Sequence, residues 1–388
     1  LLLERAGWDA RIFERSDGSL SDRGTGIVTH AELFDALDQC GIDTESAKVG
    51  VSVIGRRVFD RDGRICAELP LPQILTSWGH LYALLKKQFP AEKYHYNSTL
   101  CRIEQTGDTV VAHFKDGHVA EAELLIGADG IHSTVRTLLA PDVTPAYVGY
   151  IAWRGLVREG DLSAKVREEL CDHFCFCLPP GEQMLGYPVA GENEAMERGQ
   201  RRFNFVWYRP ADDETLHDLL TDCDGVQHTL SVPPNKIRHD HIVSVRRAAE
   251  QVLSPQFAEV IERTGHPFIQ VIQDLLSPEF RLSPRIAILG DAASVARPHV
   301  GMGVTKAAGD AVALVDALAQ HPDDLTRALD LFATRRQAYS SVVVQRARQL
   351  GAYMQAQLFT DEERAYAERH RKPEAVMTET AATIAIRL

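Results

Sequence analysis

Residues 285–306 read Arg-Ile-Ala-Ile-Leu-Gly-Asp-Ala-Ala-Ser-Val-Ala-Arg-Pro-His-Val-Gly-Met-Gly-Val-Thr-Lys. The apolar run Ile286–Leu289 is short, continuous and closed by Gly290, the pattern of a strand buried on both faces of a parallel sheet. It predicts that Asp291 stands at the strand's carboxyl end, where open α/β sheets place ligands. Gly301 and Gly303 then precede a run from Ala307 to about Leu318 that reads as a long helix. Glycines at such an entry leave backbone N–H groups uncovered at the positive end of the helix dipole, which suits an anionic or electron-rich group. One Gly-x-Gly at a helix start is also an ordinary way into a helix, so its meaning depends on what else the chain holds.

Two further stretches supply partners. Residues 121–136, Glu-Ala-Glu-Leu-Leu-Ile-Gly-Ala-Asp-Gly-Ile-His-Ser-Thr-Val-Arg, run from a buried strand at Leu124–Ile126 into a turn, Gly127-Ala128-Asp129-Gly130. A helix follows, with Ser133 and Arg136 on its first turns. At the amino end, Leu1–Ala6 reads as the tail of a helix stopped by Gly7. Ala10-Arg11-Ile12-Phe13-Glu14-Arg15 reads as a strand ending in an acid before the turn Ser16-Asp17-Gly18. Helix tail, then strand, then Glu is the second half of a dinucleotide-binding βαβ unit, whose acid holds a ribose hydroxyl about 20 residues after a Gly-rich loop. Counting back that far from Glu14 passes Leu1, so the strand and its loop are expected upstream of the sequence given. Alone, Glu14 would equally be a surface acid. With two strand–Gly–Asp turns behind it, the three read as anchors of one cofactor.

Bulk properties narrow the field. A chain of 388 residues suggests two domains around a shared core. Its net charge of -12 argues against nucleic acid or an acidic membrane surface as partner, since both need a basic face. No apolar run nears the roughly 20 residues of a membrane helix, and Leu1-Leu2-Leu3-Glu4-Arg5 lacks the lead-in and length of a signal peptide. The 7 cysteines, scattered from Cys40 to Cys223, read as reduced thiols of a cytoplasmic protein. There is no Gly-x-Ser-x-Gly elbow, so hydrolase chemistry lacks its main requirement.

In this order and spacing, the strand ending at Glu14, the Asp129 turn and the Asp291 stretch resemble the FAD-dependent aromatic hydroxylases of the p-hydroxybenzoate hydroxylase fold. Four phrases look closest to the branch acting on dihydroxylated pyridines. They are Gly24-Thr25-Gly26-Ile27-Val28, Gly149-Tyr150-Ile151-Ala152-Trp153-Arg154-Gly155, Phe203-Asn204-Phe205-Val206-Trp207-Tyr208 and Arg297-Pro298-His299. The resemblance runs to about residue 350. Departures are Ser294 where many relatives carry His, Lys306 where they carry Asn, and Trp78 where an Arg often stands. The resemblance implies that Glu14 binds the adenosine ribose and Arg15 the adenine or phosphate region beside it. Asp129 would serve both FAD and the pyridine nucleotide, and Asp291 the ribitol and pyrophosphate region. Pro298 would lie against the isoalloxazine, with the backbone of Gly301, Gly303 and Val304 cradling the ring.

The same resemblance implies an activity. NADH or NADPH would reduce the flavin, O2 would form a C4a-hydroperoxide, and a hydroxypyridine-like or other aromatic ring would take one oxygen from it. The protein must keep water away and help deprotonate the substrate hydroxyl. His299 and Tyr208, then His30, are the candidates for that step, and Tyr150, Trp153, Tyr187 and Trp207 for the pocket walls. Rival outcomes are an epoxidase, a urate- or phenazine-type hydroxylase, and a non-catalytic flavin-binding protein. The partners expected are a small aromatic substrate, O2 and NAD(P)H, with a homodimer left open.

The expected fold is α/β with an α+β substrate domain. A Rossmann-like FAD-binding domain comprises residues 1–48, 76–147 and 268–345, an antiparallel-sheet substrate domain comprises 49–75 and 148–267, and 346–388 form a C-terminal helical segment and tail. The clearest strands are Val51–Ile54, Arg64–Ala67, Phe174–Cys177 and Phe203–Tyr208, with helices near Ser163–Leu170 and Asp212–Leu220 covering the far side. Cys171, His173, Cys175 and Cys177 alternate and invite a zinc reading. Alternate strand residues are about 6.6–7 Å apart, so the outer pair spans roughly 20 Å and no single ion reaches all four; no metal is expected. His239-Asp240-His241 reads as a wet loop, Arg198, Arg201 and Arg202 as a solvated one, and Ala375–Leu388 as a tail or partner-contacting end.

Overall fold

A computed structural model describes residues 1–18 and 26–382. Gly24 and Thr25, part of one family-like phrase, lie outside the described residues, as do 383–388 of the expected tail. The backbone is organised by an eight-stranded sheet. Its strand order is Ser294–Val295, Phe268–Leu276, Ala146–Arg158, Arg202–Pro210, Gln183–Val189, His173–Cys177, Gly55–Phe59 and Ile65–Leu69. Neighbours are antiparallel except His173–Cys177 with Gly55–Phe59, which run parallel. Two of these strands, Phe268–Leu276 and Ser294–Val295, come from residues expected in the flavin unit and pair with the large sheet.

Successive residues of a strand point to opposite faces, and here each face has its own core. One carries Trp153, Val157, Phe203, Phe205, Trp207, Cys175 and Cys177 against the helices Ala164–Leu170, His239–Val252 and Pro255–Arg263. The other carries Tyr150, Ala152, Phe174, Phe176, Leu185, Tyr187, Val206 and Tyr208, with Tyr353, Met354, Val376 and Met377 against it. No cluster of metal-ligating side chains occurs among the described residues, and the alternating cysteines pack as small apolar groups.

Parallel strands of a nucleotide-binding kind form two separate ladders. Ile12–Phe13 pairs with Tyr94–His95, and Leu125–Gly127 pairs with Ile286–Ile288. The helices Gly303–Gln320 and Leu325–Gly351 close over the second ladder through Leu314, Ala317, Leu329 and Phe332. Arg136 ties its two turns together: its buried guanidinium donates to the carbonyls of Ala292 (2.7 Å) and Ile131 (2.5 Å). The expected Ser133 and Arg136 thus sit where the sequence placed them, and Arg136 is the physical link between turns about 160 residues apart.

Three expectations need correction. His239–His241 is not a wet loop but the start of a helix, which buries His241, Val245 and Ala249 at four-residue intervals; the polar residues between them hid the period. Arg201 is buried, paired to both oxygens of Glu159 at 2.8 and 2.9 Å and to Asp172 at 3.1 Å, so it pins the sheet instead of facing solvent. The tail is packed as far as it is described. Val376, Met377 and Ala381 are buried, and Arg56, wholly buried itself, donates to the carbonyls of Met377 (2.8 Å), Thr380 (2.6 Å) and Ala381 (2.9 Å).

Candidate functional site

Two glycine turns and one helix entry define the cofactor side. Gly290, in the left-handed region at φ +60, donates its N–H to Asp310 Oδ2 at 2.9 Å, and its carbonyl accepts from Lys306 Nζ at 2.9 Å. Lys306 and Asp310 are both fully buried one turn apart on the helix, and Arg336 completes the cluster at 2.6 Å from Asp310. A buried charge needs such partners. The lysine that departs from the family pattern therefore locks the turn that presents Asp291. Asp291 itself is open to water yet surrounded by protein, as in a recess; desolvation raises its carboxyl pKa, Lys306 opposing and Asp310 reinforcing.

Gly301, at φ +67, ends a short turn from Pro298 to Val300, and the helix Gly303–Gln320 starts with no side-chain cap. A side chain at position 303 would meet nothing within 4 Å, so the uncapped end of this long helix looks onto open space. Pro298 is exposed on the same turn, while Val304 packs inward against the cluster of Leu33, Leu37, Ile42, Val49 and Leu81. An uncapped helix end, an exposed proline face and a carboxylate in a recess form a donor and acceptor set that fits FAD, whose ring edge accepts hydrogen bonds and whose ribityl chain donates them.

The other anchors are arranged more loosely. The Glu14 N–H donates to the His95 carbonyl at 2.8 Å, and its Oε1 accepts from the Ser16 N–H at 2.8 Å, which fixes the carboxylate at the strand's end. Arg15 is exposed, close enough to His132 to help lower its pKa, after desolvation and Arg136. The Glu14 end thereby lies near the Asp129 turn. Asp129 acts first as a helix cap, its Oδ2 accepting from the N–H groups of Thr134 (2.6 Å) and Val135 (3.1 Å).

On the reaction side, the structure brings His299, Tyr208 and Tyr150 together. Tyr150 Oη lies 2.8 Å from His299 Nε2, His299 Nδ1 lies 3.3 Å from Gln183 Oε1, and Gln183 Nε2 donates to Tyr353 Oη at 2.8 Å. With the Gln183 amide so oriented, His299 carries its proton on Nδ1 and accepts from the Tyr150 hydroxyl at Nε2. Burial pushes its pKa down to about 3, so the imidazole is neutral. The Tyr208 ring meets it edge-on at 4.4 Å. Burial also raises the pKa values of Tyr150, Tyr187 and Tyr208, which stay neutral phenols. His30 stands on the other side of the same loop, donating from Nε2 to the Gly301 carbonyl at 3.1 Å.

The pocket walls divide by strand parity. Tyr150 and Tyr187 share the face of Tyr208. Trp153 and Trp207, one residue out of step, lie on the opposite face beneath the helices, with Trp207 Nε1 donating to Glu182 at 2.8 Å. The two indoles pack the sheet against those helices. Residues that sequence reasoning passed over are Arg154 and Asn204, which the same alternation places with Tyr150 and Tyr208 and could have flagged. Gln183, Tyr353 and Arg56 carry no comparable local signal.

Comparison with known proteins follows the same lines. A family model described as FAD binding domain-like matches residues 147–274, the heart of the large sheet. The 2,6-dihydroxypyridine 3-monooxygenase of Paenarthrobacter nicotinovorans is 31% identical over 356 residues, covering 92% of this chain and 88% of the relative. The 3-amino-4-hydroxybenzoate 2-monooxygenase of Streptomyces cremeus is 29% identical, covering 90% and 82%. Among solved structures, 2,6-dihydroxypyridine-3-hydroxylase from Arthrobacter nicotinovorans matches with a TM-score of 0.85 at 30% identity, over 94% of this chain and 92% of that one. Klebsiella pneumoniae HpxO complexed with FAD and uric acid matches with a TM-score of 0.74 at 19% identity, covering 95% and 88%, and shares the fold.

Proposed function

Because the chain belongs to the FAD-dependent aromatic-ring monooxygenases, we propose that it hydroxylates a hydroxypyridine-like N-heteroaromatic ring, using NADH or NADPH and O2. The observation that carries this reading is the hydrogen-bonded row from Tyr150 through His299 and Gln183 to Tyr353. It joins the sheet face bearing Tyr187 and Tyr208 to the very loop whose next residues, Gly301 and Gly303, form the uncapped cradle. A ring held under that face would lie beside the cofactor.

Glu14, Arg15, Asp129 and Asp291 would hold the sugar and phosphate parts of FAD, and Pro298, Gly301, Gly303 and Val304 its ring. Bound FAD supplies the redox chemistry, accepting two electrons and activating O2. The chain's residues do the rest. Tyr150, His299, Gln183 and Tyr353 satisfy one another, so the wall they form needs no water, as a site that protects a reactive oxygen requires. Tyr208, a neutral phenol, donates a hydrogen bond to a ring oxygen and does not remove its proton. His299 holds the Tyr150 hydroxyl proton at Nε2 and acts behind the wall, and His30 fixes the Gly301 carbonyl.

Purified protein supplied with FAD is the test. Hydroxylated pyridines and benzoates are screened for stimulated NAD(P)H consumption and for a product heavier by one oxygen atom. Stimulation strongest with a hydroxypyridine supports the reading; if no ring stimulates consumption while FAD is bound, the reading fails.

A further inference from the structure

Lys306 is placed against the local rules of helix electrostatics. It lies in the first turn of the helix Gly303–Gln320, at the positive end of the dipole, where a cation is unfavourable. Its partner Asp310 follows it by four residues, the less favourable order for an ion pair along a helix. Both side chains are wholly buried, so the ammonium has also given up its water. Departures of this kind concentrate where a site needs them.

The charges around Lys306 do not balance without Asp291. Asp310 is already satisfied by other donors: its Oδ1 accepts from Arg336 Nε at 2.6 Å and its Oδ2 from the Gly290 N–H at 2.9 Å, while Lys306 Nζ stands farther off at 3.4 Å. The shorter bond of Lys306 runs to the Gly290 carbonyl at 2.9 Å, the oxygen of the Gly290–Asp291 peptide. Two cations, Lys306 and Arg336, thus share one buried carboxylate, and one positive charge is left over. The Asp291 carboxylate makes no hydrogen bond or ion pair among the described residues. Of the charges near it, Lys306 favours its ionised form and Asp310 opposes it. The other charged groups around this turn are Arg136, which donates to the Ala292 carbonyl, and Asp129, on the turn after the paired strand Leu125–Gly127. Glu32 is exposed on the packed helix Ala31–Gln39.

We propose that Lys306 is a positioning residue of the cofactor site: it fixes the Gly290–Asp291 peptide through the Gly290 carbonyl, and it supplies the counter-charge that lets Asp291 meet the cofactor as a carboxylate. The inference rests on the placement of FAD against Asp291 and asks nothing of the ring substrate. A carboxylate accepts hydrogen bonds from sugar-like hydroxyls at both oxygens, whereas its protonated form turns one of them into a donor. The cofactor is itself anionic, so a carboxylate that meets it needs a cation behind it. The asparagine that many relatives carry at this position can hold a carbonyl but brings no charge.

The test reads how the FAD-loaded protein, diluted at a series of pH values, retains its cofactor, from the fluorescence of released flavin. Retention should fall on the acid side as Asp291 takes a proton. Lys306→Asn should move the midpoint of that fall up by about one pH unit, because the carboxylate loses the cation that favours it. Lys306→Arg, which keeps the charge, should leave the midpoint near its parent value. With Asp291→Asn already present, Lys306→Asn should no longer move the midpoint. A folded Lys306→Asn that loses FAD equally at every pH, as a purely structural role requires, overturns the proposal, as does an equal shift with and without Asp291. Where Lys306→Asn does not fold, Asp291→Asn alone replaces it: acid release should recede to lower pH, and release unmoved by that change overturns the proposal. A parent that holds no FAD at any pH overturns the placement of the cofactor as well. Retention that follows Lys306 in a protein whose NAD(P)H consumption no ring stimulates upholds the proposal and sinks the hydroxylase reading alone.

Discussion

His299 is enclosed by Tyr150, Gln183 and Tyr208 with no carboxylate partner among the described residues, and burial takes its pKa from the ordinary 6.5 down to about 3. Between those two values the unfolded chain binds a proton at this position that the folded chain refuses. Stability contributed here is therefore intact above about 6.5 and declines as pH falls toward 3. His299→Gln should flatten the acid side of the stability curve by up to about 1.4 kcal/mol per pH unit relative to the parent, read by urea unfolding at a series of pH values. A parallel pair of curves would mean that the imidazole is protonated in the fold. The residue was legible in the sequence because Arg297-Pro298-His299 sits one turn before Gly301; its neutral, acceptor-at-Nε2 state was not, since Gln183 and Tyr353, 116 and 170 residues apart from their partners, decide it.

At the scale of elements, the C-terminal helix Pro373–Glu379 shows how one side chain can hold a segment. Arg56 gathers the carbonyls at its end, and Ala381, the last of the three residues it holds, donates its N–H to the His299 carbonyl at 2.7 Å. The segment thus touches the candidate site through this backbone bond and through the side chains of Val376, Met377 and Ala381. Arg56→Met should cost at least about 3 kcal/mol, because several buried carbonyls lose a charged donor at once. Limited trypsin digestion should then cut at Arg369 or Arg371 before the rest of the chain; unchanged digestion would show that the segment is held elsewhere. Ala375–Leu388 reads in sequence as a tail or partner-contacting end, and the holding residue lies more than 300 positions away.

Across the whole molecule, the sheet separates a helix-covered face from the face of Tyr208 and His299, and two expectations belong to this scale. Trp207→Ala, on the helix-covered face, should destabilise by about 3–5 kcal/mol in chemical unfolding. The KM for the ring substrate should stay within about twofold in the protein that remains folded. A large KM change with little loss of stability would return Trp207 to the pocket. FAD, binding the folded chain alone, should raise the thermal midpoint with concentration, equivalent to about 2.7 kcal/mol at a hundred times its Kd. A midpoint indifferent to FAD would contradict the cradle at Gly301 and Gly303. No helix among the described residues is long and apolar enough to cross a membrane.

What the sequence determined by itself were the local devices. Gly130, Gly290 and Gly301 all adopt positive φ at the turns where Asp129, Asp291 and the helix entry were read, and the amino acid that tolerates such backbone is visible without a fold. The strands Phe174–Cys177 and Phe203–Tyr208 were equally visible from their aromatic and branched residues. Which face of those strands would serve the site was decided only by tertiary structure. His173–Cys177 and Gln183–Val189 are buried at every position, so the usual alternation of polar with apolar residues, the signal that tells inside from outside, is absent. Trp153 and Trp207 on one face and Arg154, Asn204 and Tyr208 on the other were separated when helices covered one side of the sheet and the Pro298–Gly301 loop, Tyr353 and the C-terminal segment covered the other.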